Sequence, residues 1–535
     1  MEFAPSRKQF WINVVRLFVR PVTCQTAFFL LLFTLLVLPD VLTESICSTL
    51  SFYRIPTGLF VCYLLSLPVV LLSSMFRRSY KTTIGILASI LFVVDIYMLI
   101  LYGQTLGTVS KESISAILAT NPAEAYEFAS VYLTTDRLLV VVVSVSLVLI
   151  LFYYVKNLHF RWNNISRGVL AALLLLSVYS TIGQWSKVVE SNIYYLLTKE
   201  CPDLREYRQN PTVVSDGEYV DNIVVIIGES FSKYQSSLYG YEKETNPLLG
   251  ELRADSSLYV YENITSACVT TIPSMKSIMM AYTDSMGDSI EWYRCLTLLE
   301  VMQKTGYRTY WLSNQSKTGL YDNEVGRFAD LCDEQFFVGD KYSGMVRDSK
   351  DEELLPLFED CLSNDTTPKF IVLHLMGSHA EYDKRYPAEY GKYNSDDYVE
   401  SHSHLSSSNR DVVAQYDNTV LYNDYVVSEL MKRVLAKDAV VLYLSDHGED
   451  VFRSSCDYCG HATERSEQHK NVVRQIPLMF YTTPLFRDRH SALQHKIESS
   501  VKNPYRTDSI MYTIMDMAGV ETVNGVSYKH KSLLK

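Results

Sequence analysis

Nearly every long apolar run of this 535-residue chain lies before about residue 185, and that imbalance limits its fold more than any other feature. A helix needs roughly 20 residues to cross the hydrocarbon core of a bilayer. Segments centred on 28–42, 59–74, 84–101, 138–154 and 169–182 are long and apolar enough to do so. The first lies too deep, and is too closely followed by others, to be a cleaved signal peptide. Basic residues orient the set. Arg7, Lys8, Arg16 and Arg20 precede the first segment, Arg77, Arg78 and Lys81 separate the second from the third, and Lys156, Arg161 and Arg167 separate the fourth from the fifth. These stretches share one side only if the N-terminus is cytoplasmic, and five crossings then leave everything after the fifth outside the cytoplasm.

The expected organisation is a five-helix transmembrane domain over 1–184, a polar linker over 185–219 carrying Pro202, Pro211 and Gly217, and an extracytoplasmic domain over 220–535. The stretch 103–137 is expected outside, lying along the membrane surface. Asp95 falls inside the third span, where a carboxylate is costly; it is either functional or paired between packed helices. The formal charge of −11, with no basic stripe, argues against a nucleic-acid partner.

In the second half, apolar strand-like runs alternate with helical stretches. Expected strands are 223–228, 257–261, 308–312, 370–376, 440–444 and 478–481, and expected helices are 274–282, 296–305 and 412–434. Such alternation argues for a mostly parallel sheet with helices on both faces. In such sheets ligands sit beyond the carboxyl ends of the strands. Here those ends carry chemistry: Ile227-Gly228 delivers Glu229-Ser230, Gly377-Ser378 delivers His379, and Leu444-Ser445 delivers Asp446-His447-Gly448-Glu449. Glu, His and Asp-His converging from separate strand ends suit a metal.

Thr271, in Cys268-Val269-Thr270-Thr271-Ile272-Pro273-Ser274-Met275, follows a strand and opens a helix. Its hydroxyl is placed either to cap the helix or to meet a phosphate at the positive end of the dipole. Beside a metal the second reading gains, because metal coordination activates a weak hydroxyl nucleophile. His374 lies within its strand and is either a core histidine or a substrate contact. Ten cysteines include Cys456-Asp457-Tyr458-Cys459, readable as a small disulfide loop, a redox pair or half of a zinc site; the small loop is the expectation.

Taken together, Gly228-Glu229-Ser230, Leu238-Tyr239-Gly240-Tyr241, Thr245-Asn246-Pro247, Thr271 with Ser274, Leu373 to His379, Tyr416-Asp417-Asn418-Thr419, Ser445 to Glu449 and Gly460-His461 resemble the bacterial phosphoethanolamine transferases. The resemblance implies five N-terminal helices in the bacterial inner membrane and a periplasmic α/β domain of alkaline phosphatase–sulfatase type. It implies transfer of phosphoethanolamine from phosphatidylethanolamine to lipid A, lipopolysaccharide or another envelope glycan, the modification that confers polymyxin resistance. It also carries a zinc cofactor. The zinc ligands map onto Glu229, Thr271, Asp446 and His447, and the nucleophile onto Thr271. His379 and His461 flank the phosphate, act on leaving and entering oxygens, and can hold a second zinc. Asn314 and Lys317 lie in a polar stretch that loosely resembles the family's substrate-binding one, while His374 stands as either a substrate contact or a core histidine.

The sequence departs from the family in two places. Ser277 stands where a disulfide partner of Cys268 belongs, and His379-Ala380-Glu381 replaces His-Gly-Pro. Three rival readings follow from the residues. A formylglycine sulfatase needs Cys or Ser in C/S-x-P-x-R, whereas Thr271 and Met275 occupy the first and last positions. A glycerophosphate transferase or phosphodiesterase would use the same nucleophile and metal. A non-catalytic membrane sensor or scaffold would have lost ligands, and none is missing.

Overall fold

The computed structural model describes residues 7–24, parts of 26–37, 59–67 and 139–150, residues 161–179, and 203–535 apart from 284–285, 287–290, 318–323, 339–348, 364–365, 457 and 462–465. The described residues up to 179 belong to one compact unit and those from 203 onward to another. The expected third span, the 103–137 stretch and Asp95 lie outside the described residues.

In the first unit, helix Arg7–Phe18 exposes Phe10, Trp11 and Leu17, and a helix over 164–179 exposes Val169, Leu173, Leu175 and Leu176. Among the described residues, no helix is long and apolar enough to cross a membrane.

The second unit is built on a sheet that has seven strands among the described residues: β1 (Asn222–Gly228), β2 (Leu258–Val260), β3 (Arg308–Ser313), β4 (Glu334–Phe337), β5 (Lys369–His374), β6 (Ala439–Ser445) and β7 (Leu478–Thr482). Their spatial order is β2-β7-β6-β1-β5-β3-β4. From β6 to β4 every pairing is parallel, while β7 runs antiparallel to both β6 and β2. The sheet is therefore mixed at one edge rather than uniformly parallel. Side chains alternate across a strand, so a strand covered on both faces reads as a continuous apolar run. In β1, Ile223, Val225 and Ile227 enter one core while Val224 and Ile226 enter the other.

Helices α1 (Pro247–Ala254), α2 (Thr271–Met279), α3 (Leu298–Lys304), α4 (Leu354–Ser363), α5 (Ser407–Arg433) and α6 (Ile510–Met517) supply the covering layers. Met275, Leu298 and Ile514 place α2, α3 and α6 on one face; Leu249, Phe358 and Val427 place α1, α4 and α5 on the other. The strand expected over 370–376 ends at His374, because Gly377 turns the chain at φ 53°, in the left-handed region. Helix α5 starts five residues before the expected 412, where the Ser406 side chain accepts from the Asn409 N–H as an N-cap. The polar stretch expected as linker joins the sheet-bearing unit at its C-terminal end: Val213–Ser215 pairs antiparallel with Val520–Val523.

Candidate active site

Parallel register sets the two central strand ends level. Gly228 pairs with Ser445, so Glu229 and Asp446 leave β1 and β6 side by side, and the Asp446 N–H donates to the Gly228 carbonyl at 3.1 Å. The turn after β1 is tight: Ser230 takes φ 56°, its N–H donates to Asp446 Oδ1 at 3.2 Å, and its hydroxyl donates to Glu229 Oε1 at 2.9 Å. Thr271 is the first residue of α2.

These groups meet at one point. Thr271 Oγ1 lies 3.3 Å from both Glu229 oxygens and 3.3 Å from His447 Nε2. His447 Nε2 lies 3.3 Å from Glu229 Oε1 and 3.4 Å from Asp446 Oδ2. A tetrahedral zinc holds N and O ligands at about 2.0–2.2 Å, which separates neighbouring ligand atoms by about 3.3–3.6 Å. The observed separations are those edges, and they are long for hydrogen bonds between such groups. Two further details fit a cation. Asp446 Oδ2 is buried and accepts no hydrogen bond, while Oδ1 accepts from the Ser230 and His447 N–H groups. His447 Nδ1 lies 2.9 Å from the Gly448 carbonyl and can only donate to it, which turns the Nε2 lone pair toward the cluster. The residues present thus suit the zinc that the sequence implies.

Burial brings three ionisable groups together at this point. Burial, reinforced by the neighbouring Glu229, pushes Asp446 up to about 8. Burial opposes ionisation of Glu229 too, yet the hydrogen bond and charge of His447 hold it well below the usual carboxylate range. Burial works against protonation of His447, but Asp446 and Glu229 outweigh it and raise the imidazole to about 10.

His461 follows the short strand Cys459–Gly460, which pairs with Asp450–Val451 just beyond the Asp446-His447 turn. Its Nδ1 lies 2.8 Å from Glu449 Oε2, and its ring centre is 4.1 Å from that of His447. Among the described residues, two groups of side chains could hold a metal: Glu229 with Asp446 and His447, and His447 with Glu449 and His461. As the side chains stand, His379 belongs to neither group, and His461 is grouped with Glu449 and His447. His379 lies in the turn after β5, where its N–H donates to the Met376 carbonyl at 3.3 Å.

The remaining expected contacts lie in the interior or at its edge. Asn314 is fully buried and its Nδ2 donates to Asp351 Oδ1 at 2.8 Å, so it reaches the site only through Asp351. His374 is buried, packs edge-on to Trp311 and is lowered to about 4 by that burial, as expected of a core histidine. Lys317 pairs with Asp330 at 2.7 Å. Cys456 and Cys459 form no disulfide: the Cys459 sulfur instead sits 3.4 Å from the Tyr382 hydroxyl, facing inward, while Cys456 is exposed. Ser277 donates its hydroxyl to the Ser274 carbonyl at 2.8 Å.

Sequence reasoning overlooked Gln315, whose Nε2 donates to Glu229 Oε2 at 3.2 Å and to the Leu375 carbonyl at 3.1 Å. It also overlooked Glu449 as a partner of His461. Glu449 stood within a quoted motif and Gln315 lies between Asn314 and Lys317, but nothing in an amide or a further acidic residue signals its direction.

Residues 221–520, more than half of the chain, match the sulfatase family. The chain belongs to the sulfatase family. Within this family it is similar to phosphoethanolamine transferase EptC of Escherichia coli K12, 25% identical over 485 residues that cover 83% of this chain and 81% of the relative. It is also similar to EptA of the same strain, 24% identical with 80% of each covered. The crystal structure of the C-terminal periplasmic domain of E. coli EptC in complex with zinc superposes with a TM-score of 0.54 at 27% identity, covering 61% of this chain and 89% of that one. The integral membrane lipooligosaccharide phosphoethanolamine transferase A of Neisseria meningitidis shares the fold over 95% of this chain and 97% of its own, with a TM-score of 0.64 at 20% identity.

Proposed function

We propose that this protein transfers phosphoethanolamine from phosphatidylethanolamine to a cell-envelope acceptor, a phosphate or sugar of lipid A or lipopolysaccharide. The observation that carries the reading is the Thr271 hydroxyl, at the head of α2 and 3.3 Å from both Glu229 oxygens and His447 Nε2. Relatives over four-fifths of the chain are phosphoethanolamine transferases.

Glu229, Thr271, Asp446 and His447 would hold zinc. When bound, zinc lowers the pKa of a coordinated hydroxyl and polarises a phosphoryl oxygen. Thr271 Oγ1 forms a bond to the donor phosphorus as the bond from phosphorus to the diacylglycerol oxygen breaks. The positive end of the α2 dipole at Thr271 would favour the phosphoryl oxygens. His461, held by Glu449, or His379 gives a proton to the departing oxygen and takes one from the acceptor in the second displacement. The acceptor oxygen then bonds to phosphorus and frees Thr271.

The exposed apolar side chains of the helix over 164–179 suit lipid better than water. They suit a multi-pass inner-membrane anchor over 1–184; the linker over 185–219, the periplasmic catalytic domain from 220 and the cytoplasmic N-terminus rest on the sequence and its basic residues. Such an anchor confines both lipids to one surface.

Mass mapping of peptides from protein purified in native membranes tests the reading. A phosphoethanolamine-sized adduct on Thr271, absent from Thr271→Ala, is the expected result. A glycerophosphate-sized adduct would change the donor, and retained transfer by Thr271→Ala would exclude the mechanism.

A further inference from the structure

Asp351 lies far from the strand ends in sequence, at the head of the 3-10 turn that runs into α4, and it is buried. Three donors converge on its carboxylate. Oδ1 accepts from Asn314 Nδ2 at 2.8 Å and from the Met376 N–H at 2.8 Å, and Oδ2 accepts from the Gly377 N–H at 2.9 Å. Asn314 is the first residue beyond β3, and Met376-Gly377 lie in the turn beyond β5; each of these turns carries a group that acts on Glu229.

After β3 comes Gln315, which donates to Glu229 Oε2. The β5 turn is itself pressed against Glu229. The Ser378 N–H donates to the Glu229 carbonyl at 2.9 Å, and a Cβ on Gly377 would stand 2.8 Å from Glu229 N and O. Any slack in Met376-Gly377 is therefore felt at Glu229.

We infer that Asp351 is a positioning residue for the transfer reaction, tying the turns after β3 and β5 together so that Gln315 and the Ser378 N–H are held against Glu229. The inference rests on the transferase reading. Its physical basis is that a carboxylate is acceptor-only and can take all three N–H donors at once. An asparagine of the same shape turns an –NH₂ toward one of them, which opens one leg of the clamp without changing volume. The segment has other supports: Tyr422 Oη accepts from the Glu352 N–H at 3.2 Å, and Leu354 and Phe358 are buried in the core.

The test compares full-length wild type with Asp351→Asn and Asn314→Ala by amide hydrogen exchange, thermal unfolding and steady-state headgroup transfer. Asp351→Asn should speed exchange at 375–380 by about tenfold or more while the strands keep their protection. Its kcat should fall about 10–100-fold with KM for the lipid donor within about threefold, as expected when a reacting constellation is misplaced rather than unbound. Asn314→Ala, which removes only the leg to β3, should show a smaller change in the same direction and serves if Asp351→Asn does not accumulate folded. Unchanged exchange at 375–380, a uniform rise across the domain, or a kcat within twofold of wild type would each overturn the inference. If wild type itself transferred no headgroup, the transferase reading would fail and the exchange profile alone would decide whether Asp351 is the clamp.

Discussion

At the scale of single residues, the site depends on atoms that can approach closely only because a side chain is missing. Gly377 is the clearest case, with φ 53° and the backbone of Glu229 2.8 Å from where a Cβ would be. An alanine there faces left-handed strain and a backbone clash together. We expect Gly377→Ala to weaken zinc binding about 10–100-fold, the range seen when groups supporting a ligand are disturbed. Competition with a chromogenic chelator measures it; unchanged affinity would show that Glu229 does not need this turn. The proposed ligands were legible because Glu, Thr, Asp and His are chemically distinctive at strand and helix ends. Gln315 and Asp351 were not, since their roles come from where a fold brings them: Asp351 is 122 positions from Glu229 in the chain and acts two residues removed from it.

At the scale of elements, α5 shows how a long helix can serve the site without entering it. Its buried polar face braces the turns that carry ligands: Tyr416 Oη donates to the Ser230 carbonyl at 2.6 Å, and Thr419 Oγ1 donates to Ser378 Oγ at 2.7 Å. Asp424 takes the Leu248 and Leu249 N–H groups, both at 2.9 Å, and so caps α1 from a neighbouring helix. Removing that cap with Asp424→Ala should cost about 1–2 kcal/mol in urea unfolding. Asp417 on the same face carries a pH signature. Burial raises its carboxyl to about 7, although the Tyr241 and Tyr398 hydroxyls donate to Oδ2. A carboxyl raised on folding contributes stability that is complete below its unfolded value near 4 and is lost as pH rises through about 7. The contribution is at most about 4 kcal/mol, from about 1.4 kcal/mol per unit. Thermal unfolding should show wild type losing more stability than Asp417→Asn between pH 5 and 8; parallel curves would mean that Asp417 is already ionised at pH 5. The same contrast explains which elements could be read from sequence. β1, β5 and β6 are buried on both faces and appear as apolar runs ending in chemistry. β4 is a half-exposed edge, Glu334-Gln335-Phe336-Phe337, without alternation, and α4 carries Pro356 in its first turn, so neither announced itself.

At the scale of the whole molecule, the cofactor and the compartment can each be tested without measuring transfer. Zinc bound only by the folded state stabilises it by about 2.7 kcal/mol at a hundred times its Kd. Chelation should therefore lower the unfolding midpoint and zinc should restore it, whereas a Glu229→Gln variant should gain little from added zinc. An indifferent midpoint would argue against zinc at this site. The proposed compartment rests on the basic residues flanking the apolar segments, and the second unit provides its own reporter. Cys456 is exposed, while Cys268 and Cys361 are buried. A membrane-impermeant maleimide added to intact spheroplasts should label wild type in the 403–535 region and lose that label in Cys456→Ser. Labelling only after the membrane is permeabilised would place the sheet-bearing unit in the cytoplasm. It would then be separated from an envelope acceptor, and the positive-inside argument would fail together with the proposed acceptor while the metal geometry stood.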